Sequence, residues 1–275
     1  MRDGFVVPNN FGVPDPTEVV GLGVRAEALG FDSVWVNHHV LNVGYVRDRL
    51  GEGPYHDALI MLTWLATQTS RVTLGTSVLV MPYLHPMVLA KELATLDHLC
   101  GGRLVIGVGV GSLPEENAAL GVPYDSRGGY CNEFIEVLRK LWTEERASFA
   151  GEFFTFDDII SSPKPLQKPH PPIVVGGNRP PALRRAARLG DGWHPMNVSP
   201  DGVRRRLETV RAEAKKAQRD HVLATVQVRL DMRRVTLESV AEYADAGVSE
   251  LVMSLNTADV GEIDKALETF ASAMF

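Results

Sequence analysis

Two adjacent histidines, His38 and His39, stand in the run V-W-V-N-H-H-V. An imidazole titrates near neutrality, so one held against a substrate can give or take a proton or hold an oxygen. On an extended segment successive side chains point to opposite sides, so the two are not expected to face one ligand together. A second chemistry is suggested by Gly176-Gly177-Asn178, followed by Arg179-Pro180-Pro181 and a helix rich in Ala, Arg and Leu. Unobstructed backbone N–H groups at the positive end of a helix suit a phosphate. A tight turn with Asn178 as helix cap is the alternative reading. Gly107, Gly109 and Gly111 form G-x-G-x-G, without the spacing or downstream acid of a dinucleotide fingerprint. Two such turns on neighbouring strands could cradle one phosphorylated cofactor. No metal site is expected, because there is no H-E-x-x-H motif and no acid beside the histidine pair at ligand spacing. Ser112 lacks the G-x-S-x-G context of a serine nucleophile.

Those residues need elements to hold them. Short apolar or β-branched runs recur at 4–7, 33–36, 72–79, 103–108, 173–175, 224–229 and 248–253, with helical patterns between most of them. Asp15-Pro16-Thr17-Glu18 reads as a helix start and Gly30 as its stop. Pro86 opens a clearer helix with Leu89, Leu93, Leu96 and Cys100 on one face and Gly101-Gly102 at its end. Strand and helix in alternation imply a parallel sheet. With the weak strand at 191–198 the count is eight, which favours a closed (β/α)8 TIM barrel, read as a single domain over 1–275. Residues 112–172 form an insertion after strand four, with a helix near 128–143 and a β-hairpin around Phe149 to Phe156. The proline-rich stretch 163–172 is expected to run extended over the surface. In such a barrel the chemistry lies where strands end. That filter selects Asn37-His38-His39, Thr76-Ser77, Gly109 to Ser112, Gly176 to Asn178, and His194.

Twenty-eight basic against 34 acidic side chains give a formal charge of −6, the wrong sign for nucleic acid or anionic lipid. Cys100 and Cys131 make no C-x-x-C pair, which fits a reducing cytoplasm, and neither a long apolar leader nor a membrane-length stretch is present.

Several blocks together resemble the luciferase-like monooxygenase superfamily, in particular its short coenzyme F420-dependent oxidoreductases: G-F-D-S-V-W-V-N-H-H-V (30–40), T-S-R-V-T-L-G-T-S-V (69–78), H-P-M-V-L-A-K-E-L-A-T-L-D-H-L-C-G-G-R-L-V-I-G-V-G-V-G (85–111), P-K-P-L-Q-K-P-H-P-P-I (163–173) and R-R-A-A-R-L-G-D-G-W (184–193). The resemblance implies a deazaflavin across the C-terminal mouth and hydride transfer to or from a small organic substrate. By motif, His39 falls on the histidine near the reactive ring, and Thr76, Ser77 and Val78 on a bulge under the ring, with a cis peptide at Ser77-Val78. Val110, Gly111 and Ser112, with Gly176, Gly177 and Asn178, fall on segments that hold the ribityl chain and phosphate. A homodimer is also implied. Two departures stand out: His38 occupies a position that is acidic in many relatives, and Ser112 one where the sugar-phosphate dehydrogenases carry a glutamate. FMN in a monooxygenase, or a barrel that binds cofactor without catalysis, are the alternative readings.

Overall fold

A computed structural model describes residues 1–219 and 225–275. Eight parallel strands close a barrel among them: β1 (Arg2–Val6), β2 (Ser33–Val36), β3 (Thr73–Thr76), β5 (Leu104–Gly109), β8 (Ile173–Gly176), β9 (Gly192–His194), β10 (Thr225–Asp231) and β11 (Glu250–Ser254). A two-residue strand, β4 (Leu79–Val80), follows β3 and pairs with β5. The first residue of the expected 224–229 run, Ala224, lies outside the described residues. The ring closes where β3 meets β5, through Leu74 opposite Leu104 and Gly75 opposite Val105. The weak run at 191–198 contributes β9, and Met196 adds a bridge to Arg229.

Helices α1 (Pro16–Leu29), α3 (Ala58–Gln68), α4 (Pro86–Leu99), α6 (Arg127–Thr143), α7 (Pro180–Leu189), α8 (Pro200–Lys216), α9 (Leu237–Asp245) and α10 (Val260–Met274) surround the strands, and a short helix α2 (Gly44–Leu50) follows β2. Asp15 caps α1 by accepting from Thr17 N at 2.8 Å, and Gly30 ends it at φ 104°. Leu89, Leu93, Leu96 and Cys100 are buried as their spacing requires. None of the described helices is long and apolar enough to cross a membrane.

The segment after β5 holds the short helix α5 (Pro114–Ala119), then α6, then an antiparallel hairpin of β6 (Ala147–Ala150) and β7 (Thr155–Ile159). Because α6 packs against both α4 and α7, it is the helix that the βα alternation demands, and the true additions are α5 and the hairpin. The proline-rich return is pinned from below. Buried Asp97 accepts from Gln167 N at 2.8 Å and from its Nε2 at 2.7 Å.

Strand alternation sorts the core into two shells. Val34 and Val36 join the large layer between barrel and helices, whereas Trp35 turns inward with Val6, Val174 and Val252. Its indole N–H donates to Ser33 Oγ at 2.7 Å, which fixes the ring as a plug under the mouth.

Candidate active site

The plug carries the floor of a cavity of about 410 Å³ at the C-terminal ends of the strands, a size ordinary for small-molecule sites. The His194 ring stacks on Trp35 at 5.1 Å between centroids, and its Nε2 meets Ser77 Oγ at 2.9 Å. Burial, and then the Arg229 charge, lower its pKa to about 3, so the ring is neutral at neutral pH. Arg229 completes the floor, donating to Asn37 Oδ1 and, at 3.2 Å, to Ser77 O.

Val78 is wedged into the barrel's closing seam. The Ser77-Val78 peptide is cis, as the resemblance implied. A Cβ on Gly109 would sit 2.7 Å from Val78 Cγ2, and one on Gly176 would sit 3.0 Å from its Cγ1. A Cβ on Gly107 would lie 1.8 Å from Thr76 O. The first two glycines of G-x-G-x-G are thus spent on close strand approach, not on a phosphate. Gly111 and Gly177 instead take positive φ, 76° and 110°, and line the mouth.

Of the residues singled out in the sequence, His39, Ser77, Val78, Val110, Gly111, Ser112, Gly176, Gly177 and Asn178 all line this cavity. Thr76 does not; it is buried beneath, its Oγ1 donating to Gly107 O at 2.8 Å. Asn178 is no helix cap, because Arg179 occupies that position and the Asn178 amide donates to Met196 O at 2.8 Å. The first two residues of α7 are prolines without N–H groups, and Ala182 N and Leu183 N both bond to Arg179 O. The first turn of α7 therefore offers no free N–H group at Pro180 to Leu183 for an anion.

The expectation that His38 and His39 face opposite sides fails. β2 ends at Val36, the strand alternation ends with it, and both residues line the cavity. Their surroundings still separate them. His38 Nδ1 accepts from Val80 N at 3.0 Å, and burial pulls its pKa down to about 4, so it serves as a neutral structural acceptor. His39 Nδ1 donates to Glu116 Oε2 at 2.6 Å, while Tyr45 O–H donates to its Nε2 at 2.9 Å. Glu116 is fully buried on α5. Burial pushes its carboxyl up, but the His39 ring and the N–H groups of Val40 (2.6 Å) and Leu41 (3.0 Å) outweigh that and hold it below the usual range. An ionised carboxylate accepts only, so the proton sits on His39 Nδ1 and Nε2 is left as the working nitrogen.

Sequence reasoning missed Glu116, Tyr45, Tyr55, Arg49 and Arg229. Glu116 lies 77 residues from His39 and carried no local signal. Arg229 did carry one, a charged residue inside the strand T-V-Q-V-R-L-D at an inward register. Among the described residues no group of His, Cys, Asp and Glu is placed to hold a metal ion.

A flavin-like group fits this arrangement. The Val110 to Ser112 and Gly176 to Asn178 wall is largely free of bulk, and Asn178 Oδ1 is buried there as an unsatisfied acceptor with no partner among the described residues. Comparison with known proteins agrees. The model of the family described as luciferase-like monooxygenase matches residues 1–262. An F420-dependent glucose-6-phosphate dehydrogenase of Kineococcus radiotolerans is 37% identical over 65% of this chain and 52% of its own length. An FMNH2-dependent dimethylsulfone monooxygenase of Pseudomonas putida is 34% identical over 70% of this chain and 52% of its own. The chain thus spans about half the length of these two curated relatives. A solved F420-dependent secondary alcohol dehydrogenase, bound to an F420-acetone adduct, superposes with a TM-score of 0.82 at 18% identity, covering 99% of this chain and 98% of that one.

Proposed function

From the premise that this chain belongs to the luciferase-like monooxygenase family, we propose that it is an F420-dependent oxidoreductase moving a hydride between the deazaflavin and a small organic substrate. The observation that carries this reading is His39, locked by a buried carboxylate and facing a cavity whose opposite wall is glycine-rich. When bound, the deazaflavin supplies a two-electron hydride carrier with little reactivity toward oxygen. The chain does the rest. Ser77 and Val78 give the ring a flat seat, and Val110 to Ser112 with Gly176 to Asn178 take the ribityl chain and phosphate. His39 Nε2 takes the proton from the substrate oxygen as the hydride leaves, or returns it in the reverse direction, with Glu116 holding the imidazole in the needed tautomer. Tyr45, exposed at the rim, links Nε2 to solvent until substrate displaces it.

The relatives include FMN enzymes as well as F420 enzymes, and FMN is the competing cofactor. Parallel equilibrium titration of the purified protein with oxidised F420 and FMN is expected to give tighter binding of F420. FMN binding at least tenfold tighter would overturn the assignment. Glu116 acts as a positioning residue. Glu116→Gln, which keeps the shape and loses the charge, is expected to lower kcat by about tenfold to a hundredfold with cofactor affinity within about threefold. An unchanged kcat in this variant would show that the carboxylate is merely structural.

A further inference from the structure

The cavity floor holds a cation without a counter-charge. β10 lies across the barrel from β3, yet Nη1 of Arg229 reaches Ser77 O at 3.2 Å and Ser77 Oγ at 3.3 Å, so the guanidinium crosses the middle of the mouth. No carboxylate pairs with it among the described residues, and the cation nearest in effect, Arg49, repels it. Burial draws its pKa down to about 10, which still leaves it charged at neutral pH. Glu116, the carboxylate behind His39, is already engaged by His39, Val40 and Leu41. A charge held in a barrel mouth without a counter-charge is costly, and a bound anion is one way to offset that cost.

The free atoms say what kind of ligand. Nη1 carries every side-chain bond Arg229 makes among the described residues, which leaves Nε and Nη2 open to the cavity that the residue lines. That edge is the fork that meets a carboxylate through two parallel hydrogen bonds. Tyr55 supplies an independent sign: it is one of the residues of the same cavity, and its hydroxyl is buried with no partner among the described residues. Burial pushes its pKa up, so it remains a neutral O–H donor. Arg49, stacked over Phe11 at 4.9 Å, adds a second positive charge to this wall. We propose that Arg229 and Tyr55 form a receptor for a carboxylate, and that the organic substrate is a carboxylic acid anion held by this group with its reacting carbon toward His39. This rests on reading the cavity as an oxidoreductase site. Two guanidinium groups beside the proton-transfer histidine exceed what an uncharged substrate would need.

The test uses the full-length protein without cofactor and benzoate as probe, with uncharged benzamide as its isostere, followed by isothermal titration at pH 7.5. The wild type is expected to bind benzoate at least tenfold tighter than benzamide. Arg229→Gln should abolish that preference, and Tyr55→Phe should reduce it about threefold. Arg229→Lys, which keeps the charge but not the fork, guards against misfolding of the glutamine variant and should retain part of the preference. Equal binding of the two probes by the wild type, or a preference that survives in folded Arg229→Gln, would overturn the proposal. So would an Arg229-dependent preference for reduced over oxidised cofactor in the absence of benzoate binding, since the guanidinium would then serve the ring. Because the probe binds without cofactor, failure of the F420 and FMN titrations would sink the oxidoreductase reading and leave the carboxylate receptor standing.

Discussion

Replacing His39 by alanine is expected to lower kcat by about a hundredfold or more, while the cofactor dissociation constant changes far less. The reason lies in what each cavity histidine is already doing. His38 gives its Nδ1 lone pair to Val80 N, and burial keeps it neutral far below physiological pH. A ring so committed has no lone pair on that nitrogen for a substrate. His39 has its Nδ1 side held by an ionised carboxylate and its Nε2 engaged by Tyr45, an exposed side chain on the rim helix. His38→Asn is therefore expected to cost mainly stability, through the loss of a buried ring packed against Tyr83, since the asparagine Oδ1 can still accept from Val80 N, with a milder effect on turnover. The measurement is kcat and cofactor affinity for both variants with a turned-over substrate. Equal losses in kcat, or a larger loss at His38, would mean that the roles are reversed.

Gly107→Ala is expected to destabilise the fold by about 3 kcal/mol or more, because the new methyl group lands 1.8 Å from the Thr76 carbonyl oxygen. Backbone, not a flexible side-chain tip, stands in the way, and it belongs to a strand locked into the closing seam. In a protein of this size the loss corresponds to a fall of roughly 6–12 °C in Tm. Gly21→Ala is the control: the residue is exposed on α1, a Cβ there meets nothing within 4 Å, and removing a helix-interior glycine should raise stability by about 0.5–1 kcal/mol. Thermal unfolding of both variants checks the pair. A Gly107→Ala protein melting within 2 °C or so of the wild type would show that β3 and β5 can separate, contrary to the packing argument.

The barrel was legible because its signals are local and periodic. The α4 face at Leu89, Leu93, Leu96 and Cys100, the cap at Asp15 and the stop at Gly30 each specify structure within one or two turns. The loci of the cavity were legible too, since strand ends in a parallel barrel converge at one mouth. Partnership was not. Glu116 reaches His39 from a six-residue helix beyond β5, and Arg229 reaches Ser77 across the barrel. Such contacts arise from closure of the ring and leave no spacing rule along the chain. The alternation argument for His38 and His39 failed for a definite reason, having been extended past Val36, where the strand had already ended. The G-x-G-x-G run misled in a different way. Glycine records that space is needed, without saying whether a ligand or a neighbouring strand will fill it.

The ladder between the β3–β4 segment and β5 breaks at residues 76–78, and the break sits in the cavity wall. Ser77 N stays on the β2 side, donating to Val36 O, while Ser77 O accepts from Arg229 across the barrel. Barrel closure and the presentation of the floor thus depend on the same few atoms. For the history of such a scaffold this divides the mouth into two territories. The seam, with Gly107, Gly109, Gly176 and Val78, tolerates little drift, since any change in size there is felt in the joint that holds the ring of strands together. The rim helix α2, which brings Tyr45 and Arg49 to the cavity, carries no closing joint, so new substrate preferences can accumulate there while the scaffold keeps its shape.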